Sequence, residues 1–217
     1  MIPLQDSHAS GRFPYATILF IAINCWVFYL ELITNNLEVF FTQYALVPSL
    51  IDFGHLASLT SLITSQFVHG GWLHIGSNML FLWVFGDNVE ERFGLWFIPF
   101  YLIAGAVGAI AQYLFSTGSD IPILGASGAI AGVLGAYMVF FPHHTIKTLV
   151  PAFGFLSVIN ISAPIMLGYW IITQILAGVG SIGAASGSGG VAYMAHIGGF
   201  VFGWLVASAL RKNNTKS

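Results

Sequence analysis

The chain has 217 residues, 57% of them hydrophobic and 6% charged, against about 25% charged in soluble domains. With a mean hydropathy of +0.84 it cannot cover a water-facing surface, so its solvent is mostly lipid. A net charge of −2 with no basic tract gives nucleic acid no footing, and the single cysteine, Cys25, excludes an intrachain disulfide or a multi-cysteine metal site.

Residues 1–14 precede an apolar run of spanning length without a small-residue cleavage pattern, so they are expected to be a cytoplasmic N-terminus and not a signal. A spanning helix needs about 20 mostly apolar residues. Six segments fit this role: Ala16–Ile33, Trp72–Val89, Leu95–Phe115, Ser127–Phe141, Ala163–Gly180 and Val191–Leu210. The fourth is short. No period-two alternation suggests barrel strands and no solenoid repeat is present. The expected fold is therefore an all-α membrane protein, one six-helix bundle over residues 15–210, with 211–217 as a cytoplasmic tail. The long first connection, Asn35–Gly71, mixes apolar residues with Gln43, Asp52 and His55 and is expected to lie half-embedded in the interface. The last connection, Ser181–Gly190, is small and reads as a hinge or cap.

The basic residues are Arg12, Arg92, Lys147, Arg211, Lys212 and Lys216. If six helices alternate across the bilayer, all of these fall on one side. The positive-inside rule makes that side cytoplasmic, with both termini in the cytoplasm and the cell (inner or plasma) membrane as the expected location. The opposite loops carry only Glu38, Asp52 and Asp120 as charges.

Counting inward from the basic ends, Ser127, His196, His74 and Asn78 rise roughly 21, 22, 24 and 18 Å at 1.5 Å per residue. In a hydrocarbon layer of about 30 Å these four groups share the outer half. Ionisable residues at that depth imply a function by default. A serine needs a base to become a nucleophile, and a largely neutral His196 supplies one. Acyl transfer also needs donors for the oxyanion. The Ser127 backbone N–H at a helix start is one, and His74 and Asn78, four apart on one helix face, are two more. Gly128, Gly132 and Gly135 face Gly199 and Gly203 as small-xxx-small stripes that permit close approach. A lone serine or histidine in a membrane helix is ordinarily a packing residue; the joint pattern is what points to chemistry. A metal site is the competing chemistry, given seven histidines. His69 and His74 are five apart, a poor ligand spacing, and His143 and His144 lie at the other side. No metal and no cofactor is expected.

On these residues the chain is similar to bacterial-type rhomboid intramembrane serine proteases. The block His69–Gly94 resembles the family's second helix, with HxxxN as His74 and Asn78. Gly125–Gly128 (GASG) resembles GxSG, Ala195–Gly203 (AHIGGFVFG) fits AHxxGxxxG, and Arg12–Tyr15 (RFPY) opens the first helix. The likeness covers roughly residues 11–210. It implies a six-helix core with a cavity open to the outside, a short fourth helix that sets Ser127 on the cavity floor, and a Ser127–His196 dyad with no acidic third member. It implies an oxyanion hole at the Ser127 backbone, His74 and Asn78, with Gly125, Gly128, Gly199 and Gly203 in support. It also implies a structural pair of Glu90 and Arg92. The substrates implied are transmembrane segments of other proteins, met in the lipid bilayer. Two features depart from patterns in the family. Ala131 stands where some members stack an aromatic under the base, and the first loop lacks a Trp-Arg pair. Rival readings are a non-catalytic relative that binds client helices and, with less support, a small transporter, which would show repeats and broken helices at the midplane.

Overall fold

The computed structural model describes residues 1–8, 10–152, 155–181 and 190–214. The helices are α1 (Tyr15–Ile33), α2 (Leu37–Tyr44), the single turns α3 (Leu56–Leu59) and α4 (Ser61–Thr64), then α5 (Trp72–Phe93), α6 (Phe97–Phe115), α7 (Ser127–Phe140), α8 (Ala163–Ser181) and α9 (Tyr193–Asn214). Among the described residues, four helical stretches are long and apolar enough to cross a membrane: Tyr15–Ile33, Trp72–Phe115, Ala163–Ser181 and Tyr193–Lys212. The second, of 44 residues, is α5 and α6 joined through a 3-10 turn at Gly94–Trp96. Helix α7 is apolar but shorter. Of the expected hinge, Ser181–Gly190, residues 182–189 lie outside the described residues.

The expectation of a purely helical chain is corrected by a three-stranded antiparallel sheet. Strand β1 (Ile2–Asp6) pairs with β2 (Thr145–Ala152), which pairs with β3 (Phe155–Ser162). The local reason is visible in β2, where Ile146, Thr148 and Val150 are buried while Lys147 between them is exposed, the period of a half-buried strand. One carboxylate fastens the sheet to the helices. Asp6 Oδ2 accepts from Asn88 Nδ2 of α5 at 2.7 Å and from the Tyr137 hydroxyl of α7.

Helix α7 is the axis of the core. Eleven of its 14 residues are buried, which is how an all-round apolar helix behaves when every face has a partner. Its tightest seam is with α9. A Cβ added at Gly199 or Gly203 would overlap the carbonyl oxygens of Gly128 and Gly132, so only hydrogen atoms fit between the two backbones.

The long first connection is fastened by its own backbone. Leu46 and Ile123 exchange both hydrogen bonds, at 3.0 and 2.7 Å, Ser49 N–H donates to Ser119 O, and Gly125 N–H donates to Ser65 O at 2.9 Å. Side chains add to this: Gln66 Nε2 donates to Leu102 O at 3.1 Å, and the buried Glu31 of α1 accepts from His69 N–H at 2.8 Å. These contacts tie the lobe to the loop before α7, to α6 and to α1 without the Trp-Arg pair. Within it, Asp52 is held below the usual carboxylate range by the Gly54 N–H and His55 that bond it.

The expected pair of Glu90 and Arg92 does not form. Two residues apart on a helix point to opposite sides, and each finds another partner. Glu90 accepts from Ala16 N–H and Thr17 N–H, both at 2.8 Å, satisfying free donors at the start of α1. The Arg92 guanidinium lies over the Phe140 ring, 5.1 Å from its centroid, so both residues brace the same end of the bundle.

Candidate active site

Ser127 is the first residue of α7. The turn before it is made by Gly125, whose φ of +118° is one that L side chains rarely adopt. A Cβ there would also stand 2.6 Å from His74 Nε2. No side chain caps α7, and its first intrahelical bond from this turn is Ile130 N–H to Ala126 O. The N–H groups of Ser127, Gly128 and Ala129 are therefore left at the helix start, where donors and dipole both favour negative charge.

Two histidines and an asparagine gather beside that turn, and their hydrogen bonds assign their protons. His69 Nδ1 faces Phe67 O at 3.2 Å. A carbonyl only accepts, so Nδ1 carries the hydrogen and Nε2 accepts from Asn78 Nδ2 at 3.0 Å. Gly70 N–H donates to His74 Nδ1, at 3.4 Å, so in neutral His74 the hydrogen is on Nε2, the atom next to Gly125. A ring donor and an amide with a second N–H thus come from α5 to the turn that carries Ser127. The Cβ position at Gly125 is 3.7 Å from Asn78 Nδ2.

His196 is buried on α9, one helix away. The packing that brings it in is the α7–α9 seam: a Cβ at Gly128 would be 3.7 Å from Ala195 O. Its Nδ1 is 2.8 Å from Gln174 Oε1 of α8. Its ring lies 5.6 Å from the Trp170 ring at an interplanar angle of 33°. Among the described residues Ser127 Oγ makes no hydrogen bond, and it faces a small cavity of about 20 Å³ lined also by Gln66, Gly125 and Ala195. Catalytic hydrogen bonds often tighten only around substrate. Ala131 is fully buried, and a Cβ at Gly199 would be 3.4 Å from its own Cβ. With alanine at 131, the ring beside His196 is that of Trp170 of α8.

Among the described residues, Asp6, His8 and His144 offer ligand atoms within 4.8 Å of one another. They sit at the far end of α7, beside Tyr137, ten residues or about 15 Å from Ser127, and Asp6 Oδ2 is already used by Asn88, Tyr137 and His144. At the serine end both ring nitrogens of His69 are engaged. The site chemistry is that of a hydroxyl, imidazoles and an amide.

Comparison with known proteins now adds a decisive observation: the family model of the Rhomboid domain matches residues 56–213. The chain belongs to the rhomboid family. This rhomboid chain is 32% identical over 201 residues to Rhomboid protease GluP of Bacillus subtilis, covering 91% of the chain and 35% of that protein. It is 29% identical over 176 residues to the mitochondrial Rhomboid protein 1 of Saccharomyces cerevisiae, covering 77% and 47%. It is 27% identical over 198 residues to the chloroplastic Rhomboid-like protein 11 of Arabidopsis thaliana, covering 86% and 65%. The chain therefore spans about a third to two thirds of the length of these relatives. Family and apolar helices together make it a membrane protein.

Sequence reasoning about this rhomboid missed Gln174 and His69 as site residues. A signal for Gln174 was present. It lies 11 residues into α8 from Ala163, roughly 17 Å along the helix, within about a turn of the depth counted for Ser127. His69 offered no such signal, because it reaches Asn78 only through the fold of the first connection.

Proposed function

We propose that the chain is an intramembrane serine endopeptidase that cleaves transmembrane segments of other membrane proteins. In this reading α1, α5, α6, α7, α8 and α9 all cross the bilayer. The sheet and both termini are cytoplasmic, the Ser127 end faces outward, and the membrane is the cell membrane. The basic residues support the orientation: Arg92 and Arg211, which donates to Val139 O at 2.9 Å, gather at the end of α7 opposite Ser127. The protease named among the relatives, GluP, supports the activity.

The observation that carries the reading is the complementary set of groups around Ser127. An uncapped helix start and the donors of His74 and Asn78 stand on one side, and a histidine whose Nδ1 is occupied stands on the other. His196 Nε2 takes the proton of Ser127 as Oγ attacks the substrate carbonyl. The oxyanion is held by the Ser127 N–H, His74 Nε2–H and the free N–H of Asn78. His196 then gives its proton to the leaving amine, and water hydrolyses the acyl-enzyme by the same steps. A helical substrate hides its carbonyls in its own hydrogen bonds, so segments with Gly, Pro or small residues near the outer interface unwind most readily and are the expected substrates.

The test is co-reconstitution in liposomes with a single-span protein carrying such residues, followed by product mass. Cleavage within or beside the span, absent in Ser127→Ala and His196→Ala, is the expected result. Tight association with the span and no cleavage by folded wild type would instead support the non-catalytic, helix-binding reading.

A further inference from the structure

Resting on the protease reading, we propose that Gln174 of α8 is the positioning residue of His196: it holds the imidazole in the tautomer that leaves Nε2 free for Ser127. The assignment comes from a chain of three hydrogen bonds. Thr173 Oγ1 donates to Trp170 O at 2.6 Å. Its single hydrogen is thereby committed, and toward Gln174 this hydroxyl only accepts. Gln174 presents its Nε2 to Thr173 Oγ1 at 3.2 Å, which sets the amide's nitrogen on that side and turns its oxygen toward His196. Oε1 then accepts from His196 Nδ1–H at 2.8 Å. A neutral imidazole with its hydrogen on Nδ1 has its lone pair on Nε2.

The arrangement does for this dyad what a carboxylate does in a triad, with two differences. A neutral amide adds no buried charge to a lipid-surrounded site, where charge is expensive. It also stabilises the imidazolium less than a carboxylate would. Trp170, one turn before Gln174, lies against the same imidazole, so one stretch of α8 sets both the tilt of the ring and its proton. Among the described residues the other titratable groups of the site are Tyr193 of α9, 6.5 Å from the His196 ring between centroids, His74 beside Gly125, and His69 on Asn78.

The test follows covalent labelling by a fluorophosphonate in detergent, measuring the maximal labelling rate and the half-saturating probe concentration across pH. Wild type is compared with Gln174→Leu, Gln174→Glu and Thr173→Val, with Ser127→Ala and His196→Ala as blanks. Gln174→Leu is expected to lower the maximal rate about 10–100-fold, a share of the 10²–10⁴ that a positioned base contributes, with the half-saturating concentration unchanged. Thr173→Val, which lets the amide turn over, is expected to lower the rate by about 3–10-fold. Gln174→Glu keeps the acceptor and is expected to keep most of the rate. It should move the acid limb of the pH–rate profile to higher pH, because an adjacent carboxylate favours the charged imidazole.

A packing role alone would not make the rate at constant half-saturation follow the acceptor, lost in Gln174→Leu and kept in Gln174→Glu. Wild-type rates and an unshifted acid limb in the Gln174 and Thr173 variants, with labelling still dependent on Ser127 and His196, would overturn the positioning role and leave the protease reading standing. If Gln174→Leu does not fold, Gln174→Glu and Thr173→Val decide the matter. A folded wild type that takes no label overturns the protease reading and this role with it.

Discussion

Helices α7 and α8 run through the same bundle and are treated very differently by it. In α7 eleven of 14 residues are buried, whereas in α8 only Ala163, Met166, Leu167 and Gly178 of 19 are. The glycines show the same contrast. A methyl at Gly135 of α7 would overlap the Phe200 carbonyl oxygen, while at Gly168 of α8 it would meet nothing within 4 Å. Yet α8 delivers Gln174 and Trp170 to His196. The serine thus stands on a helix gripped from all sides, and the His196 ring is held partly from a helix with few buried residues. In the proposed protease reading the nucleophile would stand on the helix fixed by the core, and the partner of its base on the helix with the fewer buried residues of the two.

Glycine substitutions test this contrast most sharply. Gly203→Val puts a branched side chain where Gly132 O already sits. It is expected to cost about 3 kcal/mol or more, as overpacking does, and to remove most folded protein in a detergent thermal-melt assay. A variant that melts like wild type would show that α9 can stand off α7 and that the seam is looser than its backbone spacing implies. Glu90→Ala strips the acceptor from Ala16 N–H and Thr17 N–H. Its expected cost is roughly 1–3 kcal/mol, read as a lower melting temperature, and Glu90→Gln should recover part of it. No change on Glu90→Ala would mean that α1 needs no anchor on α5. The smallest effect is expected on α8, where Gly168→Ala should be neutral or stabilising by up to about 1 kcal/mol, the difference in helix propensity. A large loss there would break the contrast by revealing a partner for α8 at that face.

Much of this was legible in the residues. The run that opens α7 at Ser127, and the helices expected from Ala16, Trp72, Ala163 and Val191 and found from Tyr15, Trp72, Ala163 and Tyr193, follow from apolar length, small residues and flanking charges. The sheet was not, because attention to spanning runs hides short strands. The alternation in Thr145–Ala152 is only eight residues long, and its partner β1 lies at the other end of the chain. The pair of Glu90 and Arg92 was implied by the family resemblance, and a helix turns residues two apart into opposite directions. The first connection gave no hint of how it is held, since backbone pairs such as Leu46 with Ile123 carry no side-chain signature. His196 was legible as the proposed base, but its contact with Gln174 required knowing which face of α8 meets α9.

The measurement that tests the central claim most directly is mass-spectrometric mapping of the fluorophosphonate adduct on purified protein in detergent, wild type beside His196→Ala. The account predicts a single adduct on Ser127 in wild type and none in the variant at matched folded fraction. A folded wild type without an adduct at Ser127, or an adduct that persists unchanged in His196→Ala, would contradict it.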